Sequence, residues 1–259
     1  MGLFERAVRV WRREGFGGLV RRGWRYLLWW FDRWSGVPSL LFVPYALWRF
    51  RRVVGVGDAL DFVFGGSVLA LLIRPMQVRE EVAEFVRLVS RFRPRRVVEI
   101  GTARGGTLFL LSRAAADDAV IVSVDLPGGL FGGGYAWLKG VLFRCFATRG
   151  QRIVLIRGDS HDVGVFEEVR RAVGGVVDLL FIDGDHSYEG VKRDFEMYSR
   201  LVRRGGLIAF HDIVPGPEEL VGGVPRFWRE LKERYGSGRV LEIVKSWDQG
   251  GYGIGVLFV

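Results

Sequence analysis

No asparagine occurs among the 259 residues, and cysteine occurs once, at Cys145. A single thiol excludes an internal disulfide and argues against a secreted disulfide scaffold. Glutamine and methionine are also scarce and arginine dominates the basic residues, a composition that fits a thermophilic source or a GC-rich genome. No apolar run reaches the ~20 residues of a spanning helix. Ser35 to Trp48 is uncharged but interrupted by Pro38 and Pro44, and Phe62 to Ile73 is too short. The N-terminus lacks the apolar core and small-residue cleavage site of a signal peptide. Also missing is G-x-G-x-x-G, which disfavours a dinucleotide-binding oxidoreductase.

What is present is unevenly distributed. The net charge is +9, yet residues 1–53 hold eleven Arg against Glu5, Glu14 and Asp32, an excess of eight, which leaves about +1 for the remainder. Six of the nine Trp lie in the same segment. Leu3, Ala7, Val10 and Trp11 fall on one helical face, with Arg6, Arg9 and Arg13 on another. After Gly15, Gly17 and Gly18 the spacing resumes at Val20, Trp24, Leu27 and Phe31, opposite Arg21, Arg22 and Arg25. Residues 1–60 therefore read as a basic, Trp-rich helical extension and residues 61–259 as the main domain. Arg and Trp on such helices suit a membrane surface, here through residues 1–50. The expectation is a cytoplasmic chain held peripherally on the inner face of the membrane. The competing reading packs these aromatics on the main domain or in a homo-oligomer. No nucleic acid is expected as partner, since the main domain is nearly neutral and no RNA-binding module is recognisable. RNA as a substrate is thus the weaker alternative.

Arg79 to Phe92 reads as an amphipathic helix. Strand patterns follow at Val97–Ile100, Val120–Asp125, Ile153–Arg157, Val177–Asp183 and Leu207–His211, alternating with helical patterns at Thr107–Ala116, Tyr135–Ala147, Val163–Val173 and Tyr188–Val202. Such alternation implies a parallel sheet covered on both faces. A helix at Pro225–Tyr235 and strands at Val240–Val244 and Tyr252–Phe258 complete the pattern. The fold class is α/β: a Rossmann-like, seven-stranded, mostly parallel sheet with an antiparallel terminal hairpin, preceded by the helical extension.

Ligands of open α/β sheets sit beyond the carboxyl ends of the strands. Glu99 and Gly101 close the first strand, followed by Thr102, Gly105 and Thr107 in a glycine turn and helix start. The acid would repel a phosphate but favour an ammonium and a sulfonium, which points to S-adenosylmethionine. Asp125, 24 residues after Gly101, closes the second strand, where a carboxylate can accept from both ribose hydroxyls, with Leu126 next to it. Asp159 and Ser160 close the third, where a carboxylate can accept from the adenine amine. Singly, each is also an ordinary turn or cap residue; the joint pattern is what signals a site. The loop from Leu126 to Tyr135, rich in glycine, reads as a lid or as a flexible connection.

All three histidines, His161, His186 and His211, lie at or just beyond strand ends. Asp183 and His186 stand three apart across a glycine turn, and His211-Asp212 ends the neighbouring strand. Asp183, His211 and Asp212 are the candidate ligands of one divalent ion, magnesium or manganese. The alternative is that they bind only substrate or cofactor groups. An activated methyl group needs alignment and an unprotonated nucleophile. Asp183, which also belongs to the cofactor set, and His186 are therefore the candidate catalytic residues, with His186 as the base for a hydroxyl acceptor.

The strings VVEIGTARGGTLFLLS, SVDLPGGLFGGGY, LIRGDSHD and FIDGDHSYEGVKRDFEMYSRLVRRGGLIAFHDI resemble the class I methyltransferases grouped with macrolide sugar O-methyltransferases and cephalosporin-hydroxylase-like proteins. Similarity runs from about Pro75 to the end and does not cover residues 1–60 with comparable specificity. The resemblance implies S-adenosylmethionine at Glu99, Gly101, Asp125, Asp159 and Ser160, a metal ligand at Asp183 and a base at His186. It also implies an acidic or amide pair after the fifth strand, where this chain has His211-Asp212. The acceptor it implies is a hydroxyl of a sugar or small molecule.

Overall fold

The computed structural model describes residues 3–127, 134–148 and 150–259. Most of the glycine-rich loop, residues 128–133, lies outside the described residues, as do the side chains of the helical face read at residues 3–13. Six helices precede the sheet: α1 Leu3–Ser35, α2 Val37–Leu41, α3 Val43–Phe50, α4 Val56–Val63, α5 Val68–Ile73 and α6 Arg79–Phe92. The chain breaks α1 at Gly15, whose φ of 68° with ψ of −171° is open only to glycine. Pro38 and Pro44 do not end helices. Both sit in first turns, of α2 and α3, where a missing N–H costs nothing.

The alternating part runs β1 Arg96–Ile100, α7 Gly106–Ala114, β2 Val120–Asp125, α8 Lys139–Arg144, β3 Arg152–Arg157, α9 Val163–Val173, β4 Val177–Ile182, α10 Tyr188–Tyr198, β5 Val202–His211, α11 Glu218–Val221, α12 Val224–Tyr235, β6 Val240–Ile243 and β7 Ile254–Phe258. The sheet order is β3-β2-β1-β4-β5-β7-β6. Only β7 runs against its neighbours, pairing antiparallel with both β5 and β6. The strand order reverses between β1 and β4, which sets the crevice at that switch point.

Several elements differ in their bounds from the sequence expectation. The helix read to Val202 stops at Tyr198, and Val202 enters β5 opposite Val177, where the register shifts. The last strand begins at Ile254 instead of Tyr252, because Tyr252 (φ 65°) and Gly253 (φ 81°) are left-handed and cannot join a ladder. Helix α8 spans only Lys139–Arg144, since Lys139 N–H closes a turn on the Ala136 carbonyl at 2.9 Å.

The extension is continuous with the main core. Ala46, Phe50 and Val53 are buried in one cluster with Phe62, Phe109 and Phe146, on the sheet face covered by α6 and α7. Arg113 of α7 locks this junction by donating to the carbonyls of Val53 (2.8 Å), Phe146 (2.6 Å) and Phe50 (3.2 Å). A boundary at residue 60 would fall inside α4. Deeper still, Lys139 Nζ meets Asp32 Oδ2 at 2.9 Å and donates to the Leu72 carbonyl at 2.7 Å. The outer part of α1 remains exposed. Among the described residues, no helix is long and apolar enough to cross a membrane.

Candidate active site

Parallel strands point their carboxyl ends one way, so the residues after β1, β2, β3, β4 and β5 gather at one edge. Gly101 N–H donates to the Val124 carbonyl at 2.8 Å and Asp183 N–H to the Ile100 carbonyl at 2.8 Å, which knits three strand ends together. Gly101 has φ 94°, and a Cβ there would overlap the Asp183 carbonyl oxygen, so only glycine permits this approach. Above it opens a cavity of about 330 Å³. Asp125, Asp159, Asp183, Asp185, Asp212 and Glu219 line it, together with all three histidines, and no Lys or Arg does so among the described residues.

Gly101, Asp125, Leu126, Asp159, Ser160, Asp183, His186, His211 and Asp212 all line this cavity. Asp125 is buried and accepts from Ala103 N–H at 2.7 Å and Gly134 N–H at 3.2 Å. Burial still pushes its pKa up to about 6, against those N–H donors. Asp159 Oδ1 accepts from His161 N–H at 2.9 Å, and the Ser160 carbonyl accepts from the Tyr198 hydroxyl at 2.9 Å.

Glu99, Thr102, Gly105 and Thr107 are not brought to the lining. Strand alternation directs Glu99 with Val97 toward the α6–α7 side of the sheet, while Val98 and Ile100 face the other. Glu99 is fully buried and accepts from the Ser123 hydroxyl at 2.5 Å. Thr102 Oγ1 lies 2.5 Å from the same Ser123 oxygen. Ser123 spends its one proton on Glu99, so Thr102 donates to Ser123. Burial raises the Glu99 pKa to about 8; the Ser123 hydrogen bond opposes this, and the charges of Asp183 and Asp125 add to it. Gly105 (φ 82°) serves packing, since a Cβ there would overlap the Phe143 ring.

The chemistry-bearing groups converge on Asp183. His211 Nδ1 lies 3.1 Å and His186 Nε2 3.4 Å from Asp183 Oδ1. Asp212 Oδ2 is 3.3 Å from His211 Nδ1 and 3.4 Å from His186 Nδ1. Asp183 is held well below the usual carboxylate range: burial works upward, but the charge of His211 and hydrogen bonds from both histidines outweigh it. Both imidazoles are raised, because the two carboxylates outweigh burial. His186 Nδ1 contacts the Leu220 carbonyl at 2.6 Å; a carbonyl only accepts, so Nδ1 carries the proton and the lone pair of the neutral ring is on Nε2. One ring nitrogen of His186 and oxygens of Asp183 and Asp212 form a donor set within 4.8 Å of one another. Facing acceptors of this kind call for a cation between them, a proton or a divalent ion. The set gathers Asp183 and Asp212 with His186. His211 lies against both carboxylates through Nδ1, and its Nε2 is buried without a partner.

Residues outside the motifs hold this arrangement. Asp212 takes φ 60° and accepts from Tyr252 N–H at 3.0 Å. The loop carrying Tyr252 is fixed by Glu81 of α6, which accepts from Lys245 N–H and the Gln249 side-chain amide at 2.8 Å and from Gly253 N–H at 3.0 Å. Sequence reading passed over Glu81, although its signal was legible. Glu81, Phe85 and Val89 share one helical face, and a carboxylate in that apolar stripe is buried and must find donors. Met76, Leu220 and Tyr252 had no such signal and reach the cavity only through tertiary folding.

Comparison with known proteins agrees with this geometry. Residues 98–213 match the family model described as a methyltransferase domain. An uncharacterized protein of Acanthamoeba polyphaga mimivirus is 33% identical over 115 residues, 44% of this chain and 50% of that protein. An uncharacterized protein of Sinorhizobium fredii is 29% identical over 150 residues, 56% of this chain and 16% of the other. The matches thus span half or less of these relatives. Among solved structures, an O-methyltransferase from Bacillus cereus in complex with SAH superposes with a TM-score of 0.53 at 21% identity, covering 78% of this chain and 91% of that one. The O-methyltransferase TomG from Streptomyces achromogenes in complex with SAM gives 0.51 at 19% identity, covering 88% and 97%.

Proposed function

From a chain that carries the class I methyltransferase fold, with a methyltransferase domain over residues 98–213, we propose an S-adenosylmethionine-dependent O-methyltransferase acting on a hydroxyl of a sugar or other small molecule. The observation that carries the reading is the acidity of the cavity: six carboxylate residues and no Lys or Arg among its described lining. Glu99 stands just behind it, feeling the charges of Asp183 and Asp125. Such a site repels phosphate and attracts a cation. S-adenosylmethionine, when bound, supplies a methyl group already activated by a sulfonium. Asp125 is the acceptor for ribose hydroxyls, and Asp159 with Ser160 borders the adenine.

At the other end His186 receives the acceptor's hydroxyl proton on Nε2. Leu220 holds the ring by its Nδ1 proton, and Asp183 stabilises the imidazolium that forms. His211 fixes Asp183 in turn, and Asp212 holds His211. Asp183, Asp212 and His186 also suit a divalent ion in donor type and spacing, and such an ion would lower the pKa of a bound hydroxyl. One nitrogen cannot both ligate and accept the proton, so these two roles of His186 are exclusive.

Calorimetry on the full chain tests the cofactor assignment. S-adenosylhomocysteine is expected to bind, and Asp125→Ala to weaken it about tenfold or more. Tight binding of NAD or ATP with no heat from S-adenosylhomocysteine would sink the reading.

A second reading concerns location. The outer α1 surface exposes Phe16 (73%), Trp24 (66%) and Trp34 (69%), with Leu27 and Trp30 between. Aromatic residues on a helix rich in arginine suit an anionic lipid surface. Because residues 46–53 belong to the core, the clean test replaces surface residues rather than deleting the extension. Trp24→Glu with Trp34→Glu is expected to abolish co-sedimentation with phosphatidylserine vesicles, and equal partitioning removes the idea.

A further inference from the structure

A second cavity, of about 150 Å³, lies between the end of α1 and the turn after β1. It shares Met76 and Ala103 with the acidic one and has the opposite character. Arg33, Arg104 and Lys139 line it, beside the aromatic rings of Trp29 and Tyr135. The Lys139 charge is matched by Asp32 at 2.9 Å. No carboxylate of the described residues lies within ion-pairing distance of Arg33 or Arg104. The Arg104 guanidinium instead sits 4.4 Å from the Trp29 ring centre.

Arg104 is half-buried, and burial together with the charges of Arg33 and Arg74 pulls its pKa down to about 10. Like charges held this close, with little water, oppose folding unless an anion joins them. Tyr135 is 3% exposed and closes one side of the cavity, its hydroxyl feeling the charges of Asp125 and Arg157. Two guanidinium groups and a Trp face together make a receptor for a phosphate ester with a ring or chain beside it. The carboxylate of the cofactor is the rival occupant, but one negative charge leaves this cluster under-neutralised.

We propose that the second cavity holds the phosphate of the acceptor, so that the methylated molecule is a phosphate- or diphosphate-bearing sugar or alcohol. Calling the ligand an acceptor rests on the methyltransferase reading; the anion site itself does not. The sources of such a phosphate are a soluble nucleotide and a lipid headgroup. The two cavities then divide the work: a cationic cofactor in the acidic one, an anionic acceptor anchored in the basic one, with Met76 and Ala103 between them.

The test is calorimetry on the full chain, with S-adenosylhomocysteine and inorganic pyrophosphate as separate probes. Pyrophosphate is expected to bind. Arg33→Gln with Arg104→Gln should weaken it about tenfold or more while leaving S-adenosylhomocysteine affinity within about threefold. Arg33→Lys with Arg104→Lys should restore part of it, and Arg171→Gln, on the exposed face of α9, should change nothing. Displacement of pyrophosphate by uridine diphosphate marks a soluble source, and displacement by phosphatidic acid vesicles a lipid one; either supports the site. No pyrophosphate binding beside normal S-adenosylhomocysteine binding overturns this inference alone. Loss of S-adenosylhomocysteine instead of pyrophosphate in the glutamine pair would assign the cluster to the cofactor carboxylate and also overturn it. Absence of S-adenosylhomocysteine binding in the unmutated chain strikes the methyltransferase reading itself.

Discussion

Replacing Asp32 with Ala removes the buried anion that joins the extension to the sheet domain. Asp32 is fully buried and Lys139 is 3% exposed at the side chain, so water cannot take the place of the lost partner. Burial already depresses the Lys139 pKa, and Asp32 is what opposes it. The substitution leaves the ammonium with the Leu72 carbonyl alone, and it strips Ser39 N–H of its acceptor, now 2.7 Å away. Breaking a buried pair in this way costs about 3–5 kcal/mol, of which the orphaned Ser39 N–H accounts for about 1–3 kcal/mol. For a chain of this size that lowers Tm by roughly 10 °C, at about 2–4 °C per kcal/mol. Urea unfolding read by tryptophan fluorescence measures it. The double variant Asp32→Leu with Lys139→Met replaces both charges by apolar groups and should recover most of the loss. A cost below about 1 kcal/mol for Asp32→Ala, or a double variant as damaged as the sum of the two singles, would refute the view that this pair is coupled.

Three further outcomes are expected. Glu99 titrates near 8 in the fold and near 4.5 unfolded, so the fold favours its protonated form and stability falls as pH rises between those values. Glu99→Gln should flatten that profile by on the order of several kcal/mol, and an unchanged slope in pH-dependent melts counts against the burial argument. Asp125 accepts from both ribose hydroxyls at full strength only when ionised, and burial puts its pKa at about 6. S-adenosylhomocysteine affinity is therefore expected to be level above pH 6 and to fall up to about tenfold per pH unit below it; a level profile in the unmutated chain would contradict the assignment. Asp183→Asn or Asp212→Asn should abolish manganese binding seen by electron paramagnetic resonance. His186→Ala separates its two roles, because lost manganese binding makes it a ligand, whereas retained binding with turnover reduced about 10²–10⁴-fold makes it the base.

The parallel sheet was legible because its strands are short apolar runs closed by Asp, Glu, Gly or His, and those closures recur at the carboxyl ends where ligands gather. The placing of Asp125, Asp159, Asp183, His186 and Asp212 at one cavity could be read for that reason. Which way Glu99 points could not be read so directly: its place in the string suggested a cofactor contact, but period-two alternation sends it behind the sheet to Ser123. The split at residue 60 rested on charge, a surface property, whereas Phe50 and Arg113 join the segments through interior contacts that charge counting does not register. The basic cavity was hidden for a related reason. Arg33 and Arg104 are 71 positions apart, and nothing in either neighbourhood announces that the end of α1 folds back onto the turn after β1.

The tie between Asp32 and Lys139 has a bearing on how the chain is made. The two residues are separated by 107 positions, so at about 5–20 residues per second roughly 5–20 s pass between their additions to the growing polypeptide. Throughout that interval Asp32 has no ammonium to meet, and the first helix has only the early helices to pack against. Whatever surface it meets first, whether a chaperone or a bilayer, meets it before Lys139 has been added to the chain.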